Sequence, residues 1–153
     1  MTRWLTPREM RGWRAFAEIN GHLMSALEAD LSQHGLSLGD YEVLVVLSEA
    51  DEHQLRMCDL STRLGLSPSG LTRRLDGLVR LGFVQRVPSS ADRRVMLATI
   101  TDSGLRAMDA AVEDHVESVR KHLIDRLTAK QIDALGDIFA AVGSGLGRTI
   151  TVP

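Results

Sequence analysis

The chain has little of what marks secreted, membrane-bound or disulfide-bonded proteins. It carries one cysteine, Cys58, so no disulfide can form within a subunit, and a reducing compartment is expected. Its longest aliphatic run extends only from Val43 to Leu47, which is far too short to cross a bilayer. The first residues, Met-Thr-Arg-Trp, lack the apolar stretch of a signal peptide. We therefore expect a cytoplasmic protein without a membrane segment.

Motifs of catalysis and of cofactor binding are also missing. We find no nucleophile elbow, no pair of carboxylates suited to one pocket and no phosphate loop after a strand. Residues 143–147 are glycine-rich but follow a predicted helix, so we expect a frayed end there. The five histidines are spread along the chain, without the convergence that a metal site needs. We expect no enzymatic activity, no cofactor and no metal.

Charge is distributed unevenly along a chain whose formal net charge is only −2. Between Arg56 and Arg94 there are eight arginines, no lysine and three aspartates, while acidic residues are in excess outside this segment. Arginine makes bidentate contacts with phosphates and guanine edges, which lysine does not. The distribution predicts a basic segment that binds a polyanion, set between acidic ends.

Hydrophobic spacing and capping signals predict four helices, a β-hairpin and then two more helices. The fifth helix is predicted to extend to Leu127, which makes it about 40 Å long at ~1.5 Å per residue. Two β-rich segments, 84–87 and 95–100, flank a turn-forming segment and predict the hairpin. Five helices are preceded by a threonine or serine that can cap the first turn: Thr6, Ser37, Ser67, Thr101 and Thr128.

A tight turn at residues 64–67, Leu-Gly-Leu-Ser, joins the third and fourth predicted helices, as in a helix-turn-helix unit. Short hydroxyl side chains at the start of the fourth helix permit close approach to a duplex, and its free amides favour phosphate. Arg73 and Arg74 can reach base edges or the backbone, as a recognition helix in a major groove requires. Because Leu71, Leu75 and Leu78 face the core, the outer stripe is Ser69, Thr72, Arg73, Asp76 and Arg80.

The predicted hairpin carries Asp92, Arg93 and Arg94 at its tip. An arginine there can enter a minor groove, where negative potential is concentrated. Asp92 is expected to orient Arg94 through a salt bridge, because a carboxylate is otherwise misplaced beside phosphate. A solvated helix face and an ordinary ion pair in a turn are the alternative interpretations. The residues predicted to bind DNA are Ser67, Ser69, Thr72, Arg73, Arg74, Arg86, Asp92, Arg93 and Arg94.

Two segments resemble the MarR family (multiple antibiotic resistance regulators). Residues 92–104, DRRVMLATITDSG, resemble its wing signature, in which Asp-x-Arg and a strand precede Leu/Ile-Thr-x-x-Gly. Residues 66–75, LSPSGLTRRL, resemble its recognition helix, and residues 81–84, LGFV, resemble the exit into the wing. By matched position, Ser69, Thr72 and Arg73 would face bases and Arg94 would enter the minor groove.

The resemblance implies a mainly α fold with a small β-wing (α+β). A winged helix-turn-helix lobe at 37–100 would be flanked by dimerisation helices at 6–35 and 101–147, in one domain over 1–153. The homodimer would bind a near-palindromic operator in double-stranded DNA within the bacterial nucleoid. It would act as a repressor that a small phenolic or anionic effector releases. The alternative is a winged-helix module for protein–protein contact, which would not need the arginine stripe.

The resemblance also places an effector pocket between the DNA-binding lobe and the dimerisation helices. Trp13, Phe16 and Tyr41 are the aromatic residues expected near it, although packing in the core or between subunits is the favoured explanation for them. Peroxide-sensing members carry a reactive cysteine near the start of the chain, whereas Cys58 lies at the start of the third predicted helix. We therefore expect Cys58 to be a small buried residue rather than a sensor.

Overall fold

A computed structural model describes residues 1–148, and in this range the chain forms six α-helices and a three-stranded antiparallel sheet. This confirms the predicted mainly α fold with a small β-wing. The helices are α1 (Pro7–Leu31), α2 (Leu38–Ser48), α3 (Met57–Leu64), α4 (Pro68–Arg80), α5 (Asp102–His122) and α6 (Ala129–Gly145). The strands are β1 (Gln54–Arg56), β2 (Val84–Pro88) and β3 (Met96–Ile100).

Local capping bonds begin the helices where the sequence predicts. At the start of α1 the Thr6 hydroxyl accepts the Glu9 N–H at 3.3 Å, and the Glu9 carboxylate accepts the Thr6 N–H at 2.7 Å. At the start of α4 the Ser67 hydroxyl accepts the N–H of Gly70 at 3.1 Å. These bonds satisfy N–H groups that the first helical turn leaves without a partner, so sequence alone suffices to place these boundaries.

A strand that the sequence did not predict completes the sheet. β1 pairs with β3 on the side opposite β2, so the strand order is β1-β3-β2. The chain reaches β1 through Glu52 and His53, whose φ angles are +53° and +56°. Three residues are too few to show an alternating pattern, so β1 is recognisable only once β3 offers it a partner.

The last two helices differ from the prediction in length. α5 ends at His122 rather than Leu127, because Leu123 leaves the helical region (φ −130°, ψ −66°) and a 3₁₀ turn follows at Ile124–Arg126. Its 21 residues span about 31 Å, not about 40 Å. α6 continues to Gly145, so the expected fraying from residue 143 is wrong, and the left-handed Gly147 follows only after the helix has ended.

The core of the lobe lies between α2, α3, α4 and the sheet. Leu71, Leu75 and Leu78 of α4 are all buried, as their spacing predicts. They pack into one cluster with Leu44 and Leu47 of α2. Because this stripe faces inward, the opposite side of α4 is turned to solvent.

The wing is joined to α5 by a compact set of bonds around Thr101. Its hydroxyl accepts the N–H of Gly104 at 3.0 Å and donates to the Gly82 carbonyl at 2.7 Å, while its N–H donates to the Phe83 carbonyl at 2.9 Å. Gly104 is buried, and an added Cβ would lie 2.8 Å from Ile100 Cγ1 and closer still to the Phe83 carbonyl oxygen. The Thr-x-x-Gly motif therefore fixes how the end of the wing meets the start of α5.

The two terminal helices expose large apolar side chains. Trp13 and Phe16 on α1 are 56% and 46% exposed, and Phe139 and Val142 on α6 are 39% and 51% exposed. The rings of Phe16 and Phe139 lie 6.0 Å apart, so α1 and α6 present one continuous apolar surface. Among residues 1–148, no helix is both long and apolar enough to span a membrane.

Candidate nucleic-acid interface and ligand cleft

The outer side of α4 starts with three hydroxyl residues. Ser67 caps the helix, and its Oγ lies 3.3 Å from that of Ser69. Thr72 Oγ1 donates to the Pro68 carbonyl at 2.9 Å, which leaves its lone pairs free. Ser67, Ser69, Thr72 and Arg73 are all exposed. Small side chains therefore surround the N-terminus of α4, and an arginine follows one turn later.

Three of the arginines predicted to bind DNA are exposed and have no bonding partner within the described part of the chain. In residues 1–148, the guanidinium groups of Arg73, Arg93 and Arg94 form no side-chain hydrogen bond or ion pair. The last two lie in the turn between β2 and β3. An arginine with no protein partner keeps all five donors available for an external anion.

Arg86 on β2 is engaged inside the lobe instead. Its Nη1 lies 2.8 Å from Asp76 Oδ1, and its Nη2 donates to the Thr72 carbonyl at 3.0 Å. Both partners belong to α4, so this side chain, which is 28% exposed, joins the wing to the outer helix. Arg86 and Asp76 thus hold the wing and α4 in a fixed relation. Sequence spacing did not suggest this pairing.

Arg74 points away from the surface where it was predicted. Its Nη1 lies 3.4 Å from Ser37 Oγ and 3.8 Å from Asp40 Oδ1, at the N-terminus of α2. Arg74 lies about 100° around the helix from Arg73, on the side of α4 that faces the start of α2. The structure therefore does not bring Arg74 together with Ser69, Thr72 and Arg73.

Asp92 contacts the backbone rather than the side chain of Arg94. Its Oδ1 accepts the Arg94 N–H at 3.0 Å, and its carbonyl accepts the Val95 N–H at 2.9 Å. The expected salt bridge with the Arg94 guanidinium is absent from the described residues. A short aspartate side chain readily closes a turn onto an amide two residues ahead. Asp92 therefore shapes the tip and leaves Arg94 free to extend.

A second feature is a cleft of about 530 Å³ between α1, α2 and α5 that reaches the end of α3. Leu27, Val45 and Val119 supply apolar walls, and Arg63 and Glu42 supply charge. Tyr41, one of the three aromatic residues predicted near an effector pocket, lines this cleft. Trp13 and Phe16 do not, because they lie on the exposed apolar surface of α1 and α6. The aromatic trio predicted from sequence is thus divided between two places.

Tyr41 and His115 both line this cleft and lie side by side. Their ring centroids are 4.6 Å apart, and the His115 Nδ1 is buried without a hydrogen-bond partner in the described structure. Burial lowers the pKa of His115 below its usual 6.5, because the imidazolium loses hydration. Burial, followed by the nearby Asp109 carboxylate, raises the pKa of Tyr41 above 10.0. Both shifts favour the neutral forms of these rings at pH 7.

The remaining reactive side chains lie elsewhere. Cys58 is exposed, so the expectation of a buried residue is wrong: Leu60 takes the inward position of α3, and the Cys58 thiol lies 3.7 Å from Asp59 Oδ1. His34 and His122 each meet a carboxylate where α1 and α5 pack together, at 2.8 Å and 3.4 Å. No group of three or more potential metal ligands occurs in residues 1–148.

The fold and the arginine-bearing surface together define a winged helix-turn-helix protein of the DNA-binding type. A family model described as "MarR family" matches residues 34–95. AbsC, a MarR family regulator from Streptomyces coelicolor, is 37% identical, with a TM-score of 0.89 over 95% of this chain and 98% of that one. Sco3205, a MarR family regulator from the same organism solved in complex with DNA, is 33% identical, with a TM-score of 0.91 over 95% and 92% of the chains.

This chain belongs to the MarR family of DNA-binding transcriptional regulators. A curated relative, the transcriptional repressor YetL of Bacillus subtilis, is 27% identical over 125 residues, which cover 80% of this chain and 75% of that protein. The predicted family membership and fold are thereby confirmed.

Neither His115 nor Arg63 was predicted from the sequence as a cleft residue, and the contacts of Arg74 and Arg86 inside the lobe were not anticipated. His115 is one of the five histidines that show no convergence in the sequence. Its partner Tyr41 is distant in sequence, so no local pattern joins the two residues. The contact of Arg86 with Asp76 could be suspected from the sequence only because Asp76 is an acidic residue on the outer stripe of α4.

Proposed function

We propose that this protein regulates transcription as a homodimer that occupies a near-palindromic operator and leaves it when a small effector binds. In each subunit α4 lies in the major groove, with Ser69, Thr72 and Arg73 toward the base edges. Arg94 enters the adjacent minor groove, and Arg93 lies along the backbone. Occupation of a promoter in this way makes the protein a repressor.

The proposal depends on two arginine side chains that have no protein partner and that lie on two elements joined to each other. Arg73 belongs to α4 and Arg94 to the wing, and the contacts of Arg86 with Asp76 and Thr72 join these elements. Because the clamp is inside one subunit, the relation between α4 and β2 is set before DNA arrives. A preorganised backbone lowers the entropic cost of binding, and only the arginine side chains then have to be ordered.

The second subunit is proposed to cover the apolar surface of α1 and α6. Large exposed apolar patches mark interaction sites, and this one is continuous through the contact of Phe16 with Phe139. A two-fold dimer also matches a palindromic operator, with half-sites about one helical turn apart. Sedimentation that finds only single subunits at micromolar concentration would reject this arrangement.

The effector site is proposed to be the cleft that contains Tyr41 and His115. Its volume suits a small molecule, and its apolar walls suit an aromatic ring. Arg63 provides a cation for a carboxylate or phenolate, and it lies at the end of α3, directly before the turn to α4. A ligand that displaces Arg63 or Leu64 therefore acts on α3, which supports the recognition helix α4.

The test begins with selection of binding sequences from a random duplex library, followed by fluorescence anisotropy over a salt series. Enriched sequences should be near-palindromic, and log Kd should depend linearly on log salt concentration. Arg73→Ala should weaken binding by ~1–3 kcal/mol per contact and relax base preference, whereas Arg94→Ala should weaken binding mainly at sites with a narrow minor groove. Normal binding by both variants would reject the surface.

The effector site is tested separately by a thermal-shift screen with small aromatic acids. A ligand that binds only the folded state raises the melting temperature by mass action. The same compound should lower operator affinity in the wild type and lose both effects in Tyr41→Ala. A compound that stabilises wild type and Tyr41→Ala equally would place its binding site outside this cleft.

A further inference from the structure

The side chain of Arg74 on α4 docks on the N-terminus of α2, at a site that we call its seat. The Arg74 guanidinium lies over Gly39, the second residue of α2, beside the Ser37 hydroxyl and the Asp40 carboxylate. A Cβ on Gly39 would lie 2.7 Å from Arg74 Nη2 and nearer still to Nη1 and Cζ. An alanine at this position would displace the guanidinium, which is the mobile end of the Arg74 side chain, and no backbone strain favours glycine, because Gly39 is not among the positive-φ glycines.

The seat lies at a positively polarised helix end, so a cation is stable there only if nearby polar groups offset that charge. The N-terminus of a helix carries partial positive charge, which disfavours an arginine. Asp40 offsets that charge: its Oδ2 accepts the Ser37 N–H at 3.2 Å in the capping box, and its Oδ1 faces Arg74. The side chains of Arg74 and Asp40 are 32% and 25% exposed, so the contact is half-buried. Arg74 is thus held by specific partners, unlike Arg73.

The same helix end is bound to a dimerisation helix. The Glu28 carboxylate of α1 accepts the N–H of Leu38 at 2.7 Å, one residue before Gly39. Leu38 and Tyr41 line the ligand cleft. The N-terminus of α2 is therefore the point where α1, the cleft and α4 meet.

We propose that Arg74 is a positioning residue for DNA recognition, and that Gly39 is its seat. By docking on the N-terminus of α2, Arg74 sets the angle at which α4 presents Arg73 to the duplex, and it makes no contact with DNA itself. The proposal rests on α4 being the recognition helix, as in the proposed function. It differs from the sequence-based expectation, in which Arg74 binds DNA directly.

The test compares Arg74→Ala, Gly39→Ala and the double variant by anisotropy with the selected operator over a salt series. Arg74→Ala should bind about 5- to 30-fold more weakly with an unchanged salt slope. Gly39→Ala should bind as weakly, since its methyl group displaces the guanidinium. The double variant should bind no more weakly than either single variant, because both changes remove the same contact.

Two comparisons separate positioning from general stability. Alanine is favourable in a helix, so the melting temperature of Gly39→Ala should stay near that of the wild type while operator affinity falls. Gly77→Ala, a glycine change on α4 where a Cβ meets nothing nearer than 4.0 Å, should leave operator affinity unchanged.

Direct phosphate contact gives the opposite pattern. Arg74→Ala would then reduce the salt slope by about two for the dimer, one per subunit, and Gly39→Ala would bind normally. Either result overturns the positioning role. A wild-type protein that binds no duplex would instead reject the proposed function, so the two failures are distinguishable.

Discussion

Replacement of Gly104 by alanine should destabilise the junction between the wing and α5. Gly104 is buried in the first turn of α5, against the Phe83 carbonyl and 2.8 Å, measured from an ideal Cβ, from Ile100 Cγ1. Neither neighbour is the free end of a flexible side chain. The Phe83 carbonyl also accepts the Thr101 N–H at 2.9 Å, so moving it weakens the bond that closes the wing.

The magnitude follows from three opposing terms. Alanine gains ~0.5–1 kcal/mol over glycine in a helix. Overpacking against a rigid neighbour costs ~1–3 kcal/mol, and disturbing the bond between Thr101 and Phe83 costs about 1 kcal/mol more. The free energy of unfolding should therefore fall by about 1–3 kcal/mol. For a chain of this length, that corresponds to a melting temperature lower by roughly 3–10 °C.

Thermal and urea denaturation followed by circular dichroism measure this effect. Gly77→Ala on α4 is the matched control, because a Cβ there has room and should stabilise the protein by up to ~1 kcal/mol. The two glycine variants should thus differ in sign. If Gly104→Ala were as stable as Gly77→Ala, the close approach to Phe83 would not limit this position, and the reasoning would be refuted.

Two further predictions concern the clamp and the cleft. Arg86→Asp and Asp76→Arg should each weaken operator binding in anisotropy titrations. The exchanged double variant should recover part of the lost affinity, because the ion pair, 2.8 Å in the wild type, is restored in reverse. A double variant that recovers no affinity would refute the clamp. Because burial lowers the pKa of His115, the unfolded state binds more protons as pH falls through 6.5, so the free energy of unfolding should decrease there. His115→Gln should flatten this pH dependence in urea denaturation. A variant with the same slope as the wild type would contradict the prediction.

Much of the architecture could be predicted because it depends on residues close together in sequence. The cap at Thr6 needs only Glu9, and the inward stripe of α4 needs only leucines at helical spacing. The end of α5 could not be predicted in this way, because the apolar spacing continues to Leu127 while the backbone turns at Leu123. Apolar periodicity indicates which face packs, not where a helix stops.

By itself, the sequence determined the order of the helices, their N-terminal caps, the wing and the family to which the chain belongs. Only the tertiary structure decided where the long polar side chains point. Arg73 and Arg74 are neighbours of the same type, yet one is open to solvent and the other lies on Asp40 of α2. A cap closes over three residues, so its partner is always within reach. A long arginine chooses among partners from distant segments, and these exist only after the helices have packed.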